Sequence, residues 1–85
     1  MKEIQKQAPR KPFDLESIKD IIADDLGVNR DTVNDSSDLI QDLGADSIDI
    51  VGLTLRLEQE LDCVIPINDT AKLTTPKDVY NYLSE

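Results

Sequence analysis

The sequence contains no histidine and no tryptophan, a single cysteine, Cys63, and only three aromatic side chains, Phe13, Tyr80 and Tyr82. Without histidine, neither a Ser-His-Asp triad nor a histidine-based metal site can be built. Lysine activation of a serine has no better basis. The lysines lie in the first twelve residues, at Lys19, and at Lys72 and Lys77, none at motif spacing. A lone cysteine forms no internal disulfide, which points to a reducing compartment such as the cytoplasm. No cationic neighbour marks Cys63 as a nucleophile, so it reads as a small apolar filler. No apolar run reaches the length of a membrane span, and the first residues lack the hydrophobic stretch of a secretory signal. With so few aromatics, the core must be built from Leu, Ile and Val. A domain of 85 residues so built has stability on the order of 5 kcal/mol.

Acidic side chains are abundant instead. Eighteen Asp and Glu against nine Lys and Arg give a net charge of −9, which argues against nucleic-acid binding and favours partners with basic faces. The charge is uneven: Lys2, Lys6, Arg10 and Lys11 face only Glu3 in residues 1–12, leaving residues 13–85 strongly acidic. With Pro9 and Pro12, the basic leader is expected to be an extended, disordered arm. The acidic residues do not form a calcium loop. Neither Asp31–Asp42 nor Asp35–Asp46 combines alternating acids with a glycine at the sixth position and a glutamate at the twelfth. No metal site and no catalytic residue is assigned.

Helical spacing of Leu15, Ile18, Ile21, Ile22 and Leu26 behind Asp14 predicts a first helix over 14–26, stopped by Gly27. Residues 28–46 read as a long connection with a helical turn near 37–41, and a loop of this length is often functional. A second helix is predicted from Ser47 to Leu61. At 100° per residue it carries two apolar stripes. Ile50, Leu53, Leu57 and Leu61 form the longer, core stripe; Ile48, Val51 and Leu55 lie nearly opposite and suggest a docking surface. Pro66 bars continuation, and Ile67 to Leu73 has room for one or two helical turns. Thr75 as cap, Pro76 at the first position and Asp78 at the third open a last helix, with Val79, Tyr82 and Leu83 inward. The domain is therefore expected to be all-α.

The chain is organised around Leu43-Gly44-Ala45-Asp46-Ser47-Ile48, a glycine-containing loop that delivers a serine to a helix start. The unsatisfied N–H groups and positive dipole end there suit a phosphate on Ser47, added by another protein. Asp46 can cap the helix or help bind a metal ion used by the modifying enzyme. On the local pattern alone, a plain N-cap explains these residues about as well.

These residues resemble a known family. Asp46-Ser47-Ile48, within Leu43-Gly44-Ala45-Asp46-Ser47, is similar to the Asp-Ser-Leu attachment motif of acyl carrier proteins, and more to the fatty-acid-synthesis type than to peptidyl carriers. The likeness continues through Glu58 to Ile65-Pro66 and Leu73-Thr74-Thr75, and upstream to Ile21-Ile22 and Leu26-Gly27-Val28. It implies a small four-helix bundle with three main helices, a short third helix and a long loop between the first two. It further implies a non-enzymatic carrier in which Ser47, beside Asp46, holds 4'-phosphopantetheine, attached from coenzyme A by a phosphopantetheinyl transferase. The arm's thiol then takes acyl groups as thioesters.

By the same resemblance Asp46, Asp49 and Glu58 meet basic patches on partner enzymes, Ile48, Val51 and Leu55 make apolar partner contacts, and Leu53 and Leu57 line an acyl cavity. The implied partners are acyl-transferring and chain-elongating or dehydrating enzymes of fatty-acid or related lipid biosynthesis, acting on a monomer. Acyl burial at ~0.8 kcal/mol per CH₂ would stabilise the fold. The sequence departs from the pattern at Ile48, where leucine is commoner, at Gly52, where glutamate is usual, and at the less acidic Asn68-Asp69-Thr70. These departures suggest a distinct partner set. Two other readings are an acidic interaction module without the arm and a polyketide or D-alanyl-type carrier.

Overall fold

Each of the three α-helices is begun by a side chain placed to satisfy the free N–H groups of the first turn. The computed structural model describes residues 4–85. In α1 (Leu15–Leu26) the Asp14 carboxylate accepts the Ser17 N–H at 2.7 Å, and the Ser17 hydroxyl oxygen accepts the Asp14 N–H at 2.9 Å. In α2 (Ser47–Leu61) Asp46 and Asp49 form the same reciprocal pair. In α3 (Pro76–Ser84) the Thr75 hydroxyl oxygen accepts from Asp78, with Pro76 inside the first turn. Gly27 ends α1 in the left-handed region at φ 68°, where a side chain would be strained. A 3₁₀ helix, Ile67–Lys72, is the fourth helix of the bundle, and a shorter 3₁₀ turn, Arg30–Thr32, lies behind Asn29 in the connection.

The α1 helix packs on both α2 and α3, and the Ile67–Lys72 helix packs on α2 and α3. Ile18, Ile22, Leu39, Leu53, Leu57, Val33 and Val79 are fully enclosed at the centre, with Leu61, Cys63, Ile65, Leu73, Tyr82 and Leu83 around them. Phe13 meets Tyr80 edge to face, ring centres 5.6 Å apart, at the margin. Lys19 runs its aliphatic stem along buried surface and turns its ammonium out to Glu16 at 2.7 Å and Asp35 at 2.6 Å.

The connection 28–46 is not loose. Lys77 N–H donates to the Asp35 carbonyl and Leu39 N–H to the Thr74 carbonyl, both at 3.0 Å, tying it to the entry of α3. The expected helical turn lies slightly later, over Asp38–Gly44, with the Asp38 carboxylate accepting from the N–H groups of Ile40 and Gln41.

Residues 4–12 differ from the disordered arm expected of a basic, proline-containing leader. They lie extended along the end of α2, with Gln7 and Val64 exchanging a pair of backbone hydrogen bonds of 3.0 and 3.2 Å. The reason is that the segment 61–64 leaves unpaired backbone groups that an extended neighbour satisfies. The part of that expectation concerning residues 1–3 lies outside the described residues.

Candidate functional site

Gly44 sets up the site. At φ 77° it reverses the chain as no L-residue does without strain, so that Ala45 turns into the core while Asp46 and Ser47 face outward. Asp46 accepts the Asp49 N–H at 2.9 Å and Asp49 accepts the Asp46 N–H at 3.0 Å. The cap therefore falls to Asp46. Ser47 is left as the first helical residue, exposed, with its hydroxyl making no hydrogen bond among the described residues. The N–H groups of Ser47 and Ile48, in the first turn, have no acceptor within the helix.

Beside Ser47 a cleft of about 360 Å³ opens between α2 and the two segments that face it. Ile50 and Val51 form one side, Ile40 and Gln41 another, and Thr70, Ala71, Leu73 and Thr74 the third. Sequence reasoning missed most of this lining. Its walls lie in stretches that read as connectors, and the one available signal was Ile40, apolar beside the loop's other apolar positions Val33, Leu39 and Leu43.

The two stripes of α2 separate as their spacing predicts. Leu53 and Leu57 are completely buried and Ile50 nearly so, whereas Ile48, Val51 and Leu55 are 78%, 40% and 56% exposed. Leu53 and Leu57, expected to line an acyl cavity, sit in a closed core and do not line the cleft at Ser47. Glu58 has a partner within the domain. It is half-buried and its carboxylate accepts the Ile65 N–H at 2.9 Å, so it fastens the segment after α2 instead of projecting freely. Gly52 is exposed, and a Cβ built there meets nothing within 4 Å, so neither space nor backbone conformation requires glycine.

Cys63 is buried, its Sγ 3.7 Å from the Leu57 carbonyl, and burial pushes its thiol up to about 11, with Glu58 and Asp62 adding to the shift. That suppresses the reactive thiolate. Among the described residues no three His, Cys, Asp or Glu side chains gather as a metal site, and no helix is long and apolar enough to cross a membrane.

The family described as phosphopantetheine attachment site matches residues 16–83 of this chain. The chain is similar to the acyl carrier protein of Bdellovibrio bacteriovorus, 48% identical over 68 residues, covering 80% of this chain and 87% of that one. The chain belongs to the acyl carrier protein family. It is similar as well to the acyl carrier protein of Clostridium acetobutylicum, 46% identical over 81% of this chain and 90% of that one. With that of Syntrophobacter fumaroxidans it shares 41% identity over 80% of this chain and 84% of the relative. Acyl carrier proteins are carriers, not catalysts, and their prosthetic group is a covalently attached 4'-phosphopantetheine.

The residues present fit that group. A free hydroxyl stands at a helix N-terminus, where two unengaged N–H groups suit a phosphate, and an apolar-sided cleft begins at the same residue. The surroundings are acidic. Asp38, Asp42, Asp46 and Asp49 precede or open α2, in a chain of net charge −9, and would repel a free phosphate.

Proposed function

We propose that Ser47 is the attachment point of the arm and that the protein presents acyl thioesters to enzymes of fatty-acid or related lipid biosynthesis. One observation supports this above the others. Among the described residues, the Ser47 hydroxyl is exposed and without a hydrogen-bond partner, at the first turn of α2 and on the edge of an apolar cleft. In a reaction run by a phosphopantetheinyl transferase, its Oγ attacks the pantetheine-side phosphorus of coenzyme A; the pyrophosphate P–O bond breaks, 3',5'-ADP leaves, and the hydroxyl proton passes to a base of the transferase. Once bound, the arm supplies the thiol that the chain itself does not expose. Asp46 and Asp49 hold the helix start rigid through their mutual capping, so Ser47 keeps a fixed direction.

The exposed stripe of Ile48, Val51 and Leu55, rimmed by Asp49, is read as the face that basic patches of partner enzymes meet. Those partners are acyl-transferring and chain-elongating or dehydrating enzymes, and the carrier works as a monomer in the cytoplasm. Gly52 lies within this face and sets its partner range. Adding the missing charge with Gly52→Glu, which the free space around it allows, is expected to change the rate with at least one synthase partner.

Incubation with a broad-specificity phosphopantetheinyl transferase and coenzyme A tests the attachment. Intact mass is expected to rise by one phosphopantetheinyl unit in the natural sequence and to stay constant in Ser47→Ala. No gain in the natural sequence would leave an acidic interaction module in place of a carrier.

A further inference from the structure

Neither α2 nor α3 has a basic residue in its last turn, so the partial negative charge at both C-termini is unanswered within the helices. The segment before α1 answers it. The N–H groups of Arg10 and Lys11 donate to the Leu61 carbonyl at 3.1 and 3.2 Å, and that of Arg10 also reaches the Asp62 carbonyl at 3.2 Å. Gln7 pairs with Val64. The Lys6 ammonium donates to the Tyr82 carbonyl in the last turn of α3, lies 4.0 Å from the centre of the Tyr82 ring, and is 3.4 Å from the Glu85 carboxylate.

Tyr82 carries the connection onward. It is buried, and its hydroxyl donates to the Asp69 carboxylate at 2.5 Å. Lys72 stands 3.6 Å from the same carboxylate. Asp69 belongs to the Ile67–Lys72 helix, which supplies Thr70 and Ala71 to the cleft at Ser47 and leads straight into Leu73 and Thr74. That helix buries none of its own residues; buried Ile65 and Leu73 fix its two ends, and the side-chain anchors hold the turns between them.

We propose that residues 6–11 are a strap that sets the position of the cleft wall through Tyr82 and Asp69. With the strap seated, Lys6 holds the Tyr82 ring and the ring's hydroxyl holds Asp69, keeping the 67–72 helix closed against α2. With the strap lifted, Tyr82 loses the nearer of its two cations, keeping only Lys72 at 5.9 Å from the ring centre, and loses its carbonyl partner; the bond to Asp69 loosens, and the wall opens. Access to the cleft beside Ser47 is thereby governed from the far end of α2, about 20 Å away along the helix. The coupling holds whether or not Ser47 carries the arm, so its test uses the unmodified full chain.

Amide hydrogen exchange of Lys6→Met, Lys6→Arg and Tyr82→Phe reads it directly. Asp69 and Leu73, whose N–H groups bond to the Pro66 and Thr70 carbonyls, report on the wall, and the α1 amides around Ile22 report on global stability. Lys6→Met and Tyr82→Phe are expected to speed exchange at Asp69 and Leu73 about fivefold, as loss of one such bond does, with α1 unchanged. Lys6→Arg, which keeps the cation over the ring, is expected to leave both near their original rates. Faster exchange in Lys6→Met confined to Gln7 and Val64 would overturn the coupling. So would equal acceleration of α1 and the wall, which would reduce the strap to general stabilisation.

Discussion

Asp69 is held below the usual carboxylate range, chiefly by the Tyr82 hydroxyl and further by Lys72 and Lys6, against a partial desolvation that pushes the other way. In the unfolded chain an aspartate takes up its proton near pH ~4. Between that value and the lower folded one, the unfolded state binds more protons. The Asp69 contribution to stability is therefore complete above pH ~4 and is lost as pH falls through the folded value. In urea titrations, the stability difference between the natural sequence and Asp69→Asn should hold steady from neutrality down to about pH 5 and shrink below ~4. Asp35, lowered chiefly by its hydrogen bond from Lys19, should behave in the same way. Cys63 shows the opposite direction. Its thiol, raised to about 11 by burial, should resist maleimide in the native protein and react freely once urea unfolds the domain.

Among the elements, α2 contains the clearest local compromise. Gly52 costs a helix interior about 1 kcal/mol relative to alanine. A Cβ there meets nothing, so Gly52→Ala should raise stability by about 0.5–1 kcal/mol in urea denaturation. Gly27→Ala should do the reverse by about 1 kcal/mol, because φ 68° is a left-handed conformation.

The helices were legible because their ends are written in side chains: Asp14 and Gly27 for α1, Asp46 for α2, Thr75 and Pro76 for α3. The end of α2 at Leu61 was legible too, from the last position of its core stripe, although Asp62 makes the stop in a left-handed turn at φ 52° without a glycine. Where the backbone does the work, the reading fails. The strap of residues 6–11 is held largely by main-chain hydrogen bonds, which any sequence could make. The 3₁₀ turn at Arg30–Thr32 had only the Asn29 cap as a signal.

Across the whole molecule, the aliphatic core and the acidic surface oppose each other. Leu57 is fully buried, and truncating such a residue to alanine typically costs 2–5 kcal/mol. Against a total on the order of 5 kcal/mol, Leu57→Ala should leave the domain largely unfolded or close to it, visible as a collapsed thermal transition. A net charge of −9 in so small a body also repels itself. Moving from low salt to ~0.15 M should raise the melting temperature as screening shortens to about 8 Å. At this scale the placement of Ser47 and the division of α2 into a buried and an exposed stripe were readable from periodicity. The cleft was not. It is assembled from Ile40, Ile50, Ala71 and Leu73, residues brought together only by tertiary packing.

The two bonds that tie the connection 28–46 to the entry of α3, from Lys77 to Asp35 and from Leu39 to Thr74, also impose an order in time. Ser47 and the turn before it leave the ribosome well ahead of α3, yet the connection lacks two of the backbone bonds that place it until Thr74 and Lys77 arrive. Closing contacts so far apart along the chain is the slow part of folding. A nascent chain should therefore be a poor substrate for any enzyme that requires Ser47 in its finished setting.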